Sequence, residues 1–434
     1  MPKRKLDTLP YKGVRDFYPE DMFLRNYLFG KMCQTAESFG YTEYEASILE
    51  PAELYLAKTG EEIVNEQTYT FKDRGGRDVT LRPEMTPTVA RMVAARRKEL
   101  PLPIRWYSIP NLFRYERPQK GRLREHFQLN VDLFGDSSQE ADKEIIKIAA
   151  KLLLNLGAKE NDFEIKINDR QITNSLFEKF KLSEEQKYKV SKVIDKKAKI
   201  SKENFKSALE LIFKEKTEDF ISILESNKKL VEILGEENPI IKKLMIFIDA
   251  LAADGIKNVR FEQTLVRGFD YYSGFIFEIF DSDPENRRSL FGGGRYDDLL
   301  QIFGKEKLPA VGFGAGDVTI SDFLETHNLI PEYESSVDLY LCALDGFETE
   351  SDKLAQKLRE DRINVAVDYM GRKIADQIKS AVKQKIPFFL CVGENEIKSG
   401  RYKVKNLKTE EEKELKEEEI IEFLNKQNAI NNSV

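Results

Sequence analysis

Histidine, cysteine and long apolar runs are scarce in this chain of 434 residues. Its two histidines, His126 and His327, and its three cysteines, Cys33, Cys342 and Cys391, lie far apart and form no CxxC pair, which argues against a structural zinc site. Free thiols of this kind suit a reducing cytoplasm. No apolar run approaches membrane-spanning length, and IPFFLCVG (386–393) has the length of a buried strand. The opening MPKRKLDTLP is basic but has no apolar stretch, so no signal peptide is read. A net charge of −6 excludes a globally basic nucleic-acid binder, though not a local basic patch. What is present is 41% hydrophobic and 33% charged residues of mixed sign, the composition of a soluble folded protein of two or three domains.

The first third mixes helices and strands. Residues 20–39 carry an amphipathic helical pattern. EYEASILEP (43–51) and RDVTLRP (77–83) read as strands, and Thr86-Pro87 starts a helix, with Thr as cap and Pro in the first turn. Residues 104–116 and 124–134 read as two strands around a loop. A Lys/Glu-rich helical stretch at about 180–250 looks like an insertion. Strands return at 261–267 and 274–280, and GGGRYDD (292–298) and VGFGAGD (311–317) read as Gly-rich turns leading into helices. Beyond residue 330, VDLYLCAL, INVAVDY and IPFFLCVG alternate with helical segments, the signature of an α/β unit with a mostly parallel sheet at 335–428. KTEEEKELKEEE (408–419) reads as a solvated helix face.

The chemistry concentrates in FRYERPQKGRLREHFQ (113–128), which packs Arg114, Arg117, Lys120, Arg122 and Arg124 between two strands. At period two, Phe127, Leu129, Val131 and Leu133 share one face of the second strand, and His126, Gln128, Asn130 and Asp132 share the other. Amides and a carboxylate opposite an arginine form a polar binding surface, and arginine suits bidentate contact to phosphate. The loop around Lys120, Gly121 and Arg122 suits a basic clamp.

FRYERPQKGRLREHFQLNVDLFG resembles motif 2 of the class II aminoacyl-tRNA synthetases, in the form seen in histidyl-tRNA synthetases. TLRPEMTPTVAR (80–91) resembles that family's amino-acid-binding strand and turn. LVRGFDYYSGFIFE (265–278) and GGGRYDDL (292–299) resemble two segments peculiar to histidyl enzymes, and all four come in the family's order. The resemblance implies an α+β catalytic domain with an antiparallel sheet over 1–330, carrying the helical insertion, and a C-terminal α/β anticodon-binding domain. It implies activation of L-histidine by ATP with magnesium, transfer to tRNA-His, and a homodimer in which EYEASILEP corresponds to the interface motif.

By the same resemblance, Arg114 and Arg267 hold the α-phosphate, Glu84 binds the substrate ammonium beside Thr86, and Gln128 and Asp132 help hold the amino acid. Tyr271 and Tyr272 wall the imidazole, and Glu116 reads the adenine. Arg122 meets the γ-phosphate or the tRNA end, and Gln119 and Lys120 meet the acceptor stem. Which carboxylates hold magnesium is not visible in the sequence. Three positions depart from the family pattern. His126 stands where Phe is frequent, and Asp132 where Glu is common. Thr319 stands where motif 3 ends in an arginine, with Arg295 and Arg122 as candidate substitutes. The alternatives are a non-catalytic regulatory subunit of ATP phosphoribosyltransferase, a synthetase for threonine, proline or glycine, and an inactive RNA-binding protein. In the C-terminal unit, Arg372, Lys373, Lys379, Lys383 and Lys385 with Tyr369 suit single-stranded RNA.

Overall fold

The alternation in EHFQLNVDLF builds strand β7 (Glu125–Phe134). Leu129, Val131 and Leu133 are fully buried, each stabilising by about 1.5–3 kcal/mol. They face helices Pro19–Ser38 and Gln139–Asn155, the second capped by the Ser138 hydroxyl, which accepts from the Ala141 amide. The computed structural model describes residues 7–56, 67–197, 200–266, 271–286 and 288–431, with side chains to residue 427. It divides into two compact units, Met1–Ile330 and Pro331–Val434.

β7 lies inside a sheet of nine strands among the described residues. The others are β1 (Thr42–Glu43), β5 (Ile104–Ser108), β6 (Asn111–Phe113), β8 (Phe163–Asp169), β9 (Val259–Phe261), β10 (Phe275–Asp281), β11 (Ser289–Arg295) and β12 (Ala310–Gly316). The order is β1-β5-β7-β12-β11-β10-β8-β9, with β6 also on β7. From β5 to β8 every pairing is antiparallel. The glycines of GGGRYDD and VGFGAGD are not turns, as expected, but lie within β11 and β12, where Gly292 pairs with Gly314 and Gly294 with Gly312. The reason is contact: a Cβ on Gly292 would run into the Phe277 carbonyl, and one on Gly293 into the Gly312 carbonyl. Helical turns do follow both strands, at Leu299–Phe303 and Asp317–Thr326.

EYEASILEP is not one strand. It supplies β1 and, separately, β2 (Leu49–Pro51), which joins β3 (Tyr69–Lys72) and β4 (Asp78–Leu81) in a second sheet of order β2-β4-β3. The Lys/Glu-rich stretch forms helices Glu184–Asp195, Lys202–Phe213, Thr217–Leu224, Asn227–Leu234 and Pro239–Ala253. Their apolar faces, through Val190, Leu209, Phe220 and Leu251, join the same core as β7.

In the second unit β13 (Leu339–Ala343), β14 (Val365–Asp368) and β15 (Phe388–Val392) are parallel, and β16 (Tyr402–Asn406) and β17 (Glu412–Leu415) add antiparallel, so the sheet is mixed. β17 also corrects the reading of 408–419 as a helix face: alternation in EKEL pairs it with β16 before a helix starts at Glu417.

Candidate active site

The polar face of β7 lines a cavity of about 280 Å³ in the first unit. His126, Gln128, Asn130 and Asp132 all reach it, and Phe127 turns away to meet the rings of Phe17 and Phe29. The glycines of β12 make the space. A Cβ on Gly314 would collide with the Gln128 amide, and one on Gly312 would lie 2.5 Å from Asp132 Oδ1. Burial, helped by the positive charge of Arg114 and Arg15, pushes the His126 imidazole down to about 3, so the ring is neutral at physiological pH.

One end of the cavity holds acids and phenols. Glu84 follows β4 and Thr86 opens helix Thr86–Ala95. The Thr86 side chain does not cap that helix, against the sequence expectation, and instead hydrogen-bonds Tyr271. The Tyr271 hydroxyl also donates to Glu84 Oε2 at 3.0 Å, and burial with the Glu84 charge holds the phenol well above its usual range. Tyr272 lies against Tyr271, ring centroids 4.9 Å apart, and both line the cavity. Asp132 accepts from the Tyr296 hydroxyl through Oδ1, and its buried Oδ2 has no hydrogen-bond partner. Burial raises this carboxyl to about 7, against the pull of the Tyr296 hydrogen bond.

The other end carries the arginines. Arg114 lines the cavity, and its Nε donates to the Pro83 carbonyl at 2.8 Å, which ties the basic strand end to the Glu84 turn. Arg122 lines it too and pairs with Glu116 at 3.2 Å. Gln119 and Lys120 are exposed at the loop tip and do not line the cavity. Arg267 lies outside the described residues.

Thr319 also lines the cavity, and its hydroxyl donates to the Leu290 and Gly316 carbonyls at 2.6 and 3.1 Å. Of the two candidates to replace an arginine there, Arg295 is elsewhere. It is buried, paired with Asp142 at 2.8 Å and bonded to the Asp136 and Ser138 carbonyls, because it points from β11 toward the start of helix Gln139–Asn155. Three lining residues with polar side chains, Tyr296, Glu278 and Ser289, escaped the sequence reading. The signal for Tyr296 was its place in the Gly-rich segment, separated by one residue from the glycines of β11; Gly312 of β12 leaves room for its hydroxyl, which a Cβ there would approach to 2.9 Å.

In the second unit, helix Ile374–Lys383 keeps Lys379 and Lys383 exposed, as is Tyr369 on the loop before it. Arg372 is a structural residue instead, paired with Asp368 and donating to the Tyr340 hydroxyl. Lys385 pairs with Glu332 at 3.4 Å.

Comparison with known proteins gives this geometry its relatives. A family model described as Histidyl-tRNA synthetase matches residues 13–317, and one described as Anticodon binding domain matches 338–427. The chain is 44% identical over 417 residues to the histidine–tRNA ligase of Leptospira biflexa, covering 94% of this chain and 95% of that protein. It is 36% identical to the histidine–tRNA ligase of Thermoplasma volcanium, covering 96% and 98%. Among solved structures, the histidyl-tRNA synthetase from Nostoc sp. PCC 7120 has the same fold, with a TM-score of 0.80 at 23% identity, covering 98% of this chain and all of that one. The chain belongs to the histidyl-tRNA synthetase family.

Proposed function

We propose that this protein activates L-histidine with ATP, giving histidyl-adenylate and pyrophosphate, and passes the histidyl group to the 3′ end of tRNA-His. The observation that carries this reading is one cavity with Glu84, Tyr271 and the unpartnered Oδ2 of Asp132 at one end and Arg114 and Arg122 at the other. Such a site takes an amino acid with a nitrogenous side chain on one side and a phosphate chain on the other.

Glu84 receives the α-ammonium, with Thr86 and Gln128 beside it. Tyr271 and Tyr272 enclose the imidazole, and Asp132 Oδ2 accepts its N–H. The histidine carboxylate then attacks the α-phosphorus and pyrophosphate leaves, with no covalent bond to the protein. Arg114, with Arg267, neutralises the charge that grows on the α-phosphate, and alignment does the rest. Neutral His126 lends a flat, uncharged surface to the adenine, and Glu116 accepts from its amino group. Arg122 grips the far phosphates or the tRNA end, and Gln119 and Lys120 meet the acceptor end.

Magnesium fits this reading. Among the described residues no three acidic, His or Cys side chains form a ready metal cage. Magnesium on a triphosphate needs only one or two carboxylates, and Glu278 is a cavity carboxylate of that kind. When bound, the ion neutralises phosphate charge. The protein works in the cytoplasm as a homodimer, with EYEASILEP at the interface.

The test is histidine-dependent ATP–pyrophosphate exchange against a panel of amino acids. Exchange with histidine alone is expected. Folded protein with magnesium and no exchange for any amino acid would instead favour the regulatory subunit of ATP phosphoribosyltransferase.

A further inference from the structure

Among the described residues, those that line the cavity carry more negative than positive charge, for a site that holds a triphosphate. Four carboxylates, Glu84, Glu116, Asp132 and Glu278, line it beside two guanidiniums, Arg114 and Arg122. Arg122 is already paired with Glu116. Thr319, at the start of helix Asp317–Thr326, adds no charge, and its hydroxyl is spent on two carbonyls. Nearby Arg15 is bound to buried Asp317 at 2.7 Å, and Arg295 to Asp142.

Arg288 remains. It immediately precedes β11, whose first two residues, Ser289 and Leu290, line the cavity. Its guanidinium donates to the Lys120 carbonyl at 2.6 Å and to Gln119 Oε1 at 3.2 Å, the tip of the basic loop. A point one bond out from Gly121, a cavity residue, is 3.4 Å from Asp322 Oδ2, 3.8 Å from Arg288 Nη1 and 3.9 Å from Thr319 Cγ2. The guanidinium therefore shares the surroundings of Gly121 with Thr319 and the Asp322 carboxylate, whose pKa is raised by burial and pulled down by the Arg288 charge, on the rim where the loop meets the helix start. Two hydrogen bonds use only part of its five N–H donors.

We propose that Arg288 supplies the cationic grip on the β- and γ-phosphates of ATP that Thr319 does not give. The charge enters from the strand β11 side of the rim rather than from the helix. Because Arg288 also holds the loop tip, seating the phosphate tail and closing the loop are one event. This inference rests on the ATP-dependent reading of the site.

The experiment compares the wild-type chain, Arg288→Ala, and Arg288→Ala combined with Thr319→Arg in histidine-dependent ATP–pyrophosphate exchange. Wild-type exchange is measured first, because its absence overturns the enzymatic reading and not this assignment. With wild type active, Arg288→Ala is expected to raise the KM for ATP about tenfold or more, the loss of one charge-assisted contact. The KM for histidine and inhibition by AMP, which lacks the β- and γ-phosphates, stay within about twofold. Adding Thr319→Arg restores most of the ATP affinity from the neighbouring position. An unchanged KM for ATP overturns the proposal. So does equal weakening of ATP and AMP, which would mean that Arg288 only orders the loop.

Discussion

The Tyr296 hydroxyl donates a hydrogen bond to Asp132 Oδ1 at the cavity floor, and both side chains are cut off from solvent. That bond is the one force that holds the Asp132 carboxyl down against burial, which has already raised it to about 7. Tyr296→Phe removes it, so the carboxyl rises further. If ionised Asp132 accepts the imidazole N–H, the acid limb of kcat/KM for histidine moves to higher pH. At pH 7 the KM for histidine rises about tenfold, and the gap to wild type narrows toward pH 9. Exchange kinetics from pH 6 to 9 test this, and a profile that does not move removes Asp132 from histidine recognition.

The same carboxyl makes a stability prediction of definite sign. Its folded pKa, about 7, lies above the unfolded value near 3.9, so the folded state prefers the protonated form. Stability from this group is complete below the unfolded value and is lost as pH rises through 7. Asp132→Asn is therefore expected to be more stable than wild type, by an amount that grows from about pH 4 to 7 and then levels, gaining about 1.4 kcal/mol with each step of one in pH across that window. Urea midpoints at pH 5 and pH 8 measure it. If Asp132 accepts the imidazole N–H, the variant loses histidine affinity at the same time, a trade of stability for function at a buried charge.

Arg295 and Arg288 sit seven residues apart and have opposite expected phenotypes. Arg295 is the buried partner of Asp142, whose carboxyl burial raises to about 7 in spite of the arginine. Arg295→Ala leaves that carboxylate and two carbonyls without their donor, and is expected to cost about 3–5 kcal/mol in folding. The KM for ATP of the surviving folded enzyme stays near wild type. A lowered urea midpoint with normal ATP affinity is the predicted pair of results, and a raised KM for ATP would return Arg295 to the site.

These contrasts mark where the sequence was legible. The polar and apolar faces of β7 follow from period two alone, because each step of a strand reverses the side chain. The cluster of Glu84, Thr86, Gln128, Tyr271 and Tyr272 came through resemblance to the family, and these residues do meet in one cavity. The glycines of β11 and β12 were misread because glycine marks a tight turn and a close strand approach equally well, and only the neighbouring backbone tells them apart. Tyr296 was missed because its meaning depends on a partner 164 residues away. Arg372 and Arg295 looked like free basic residues until their buried carboxylates were found.

Helix Ile374–Lys383 offers a test that separates the two steps of the reaction. Lys379 has 80% of its side chain exposed, with Asp376 at 3.8 Å as its ion-pair neighbour among the described residues; Lys383 is exposed as well. Arg372, by contrast, is tied to Asp368 and Tyr340, so changing it would disturb the fold. If the lysine face meets tRNA phosphates, the pair Lys379→Glu and Lys383→Glu weakens tRNA binding about tenfold at physiological salt, and the slope of affinity against salt falls by roughly one to two. Histidine-dependent ATP–pyrophosphate exchange needs no tRNA and stays at the wild-type rate. Aminoacylation kinetics at two salt concentrations, run beside exchange, read both effects. Unchanged aminoacylation would move the tRNA contact to another face of the second unit, because charge reversal at two exposed positions should alter any phosphate contact made there.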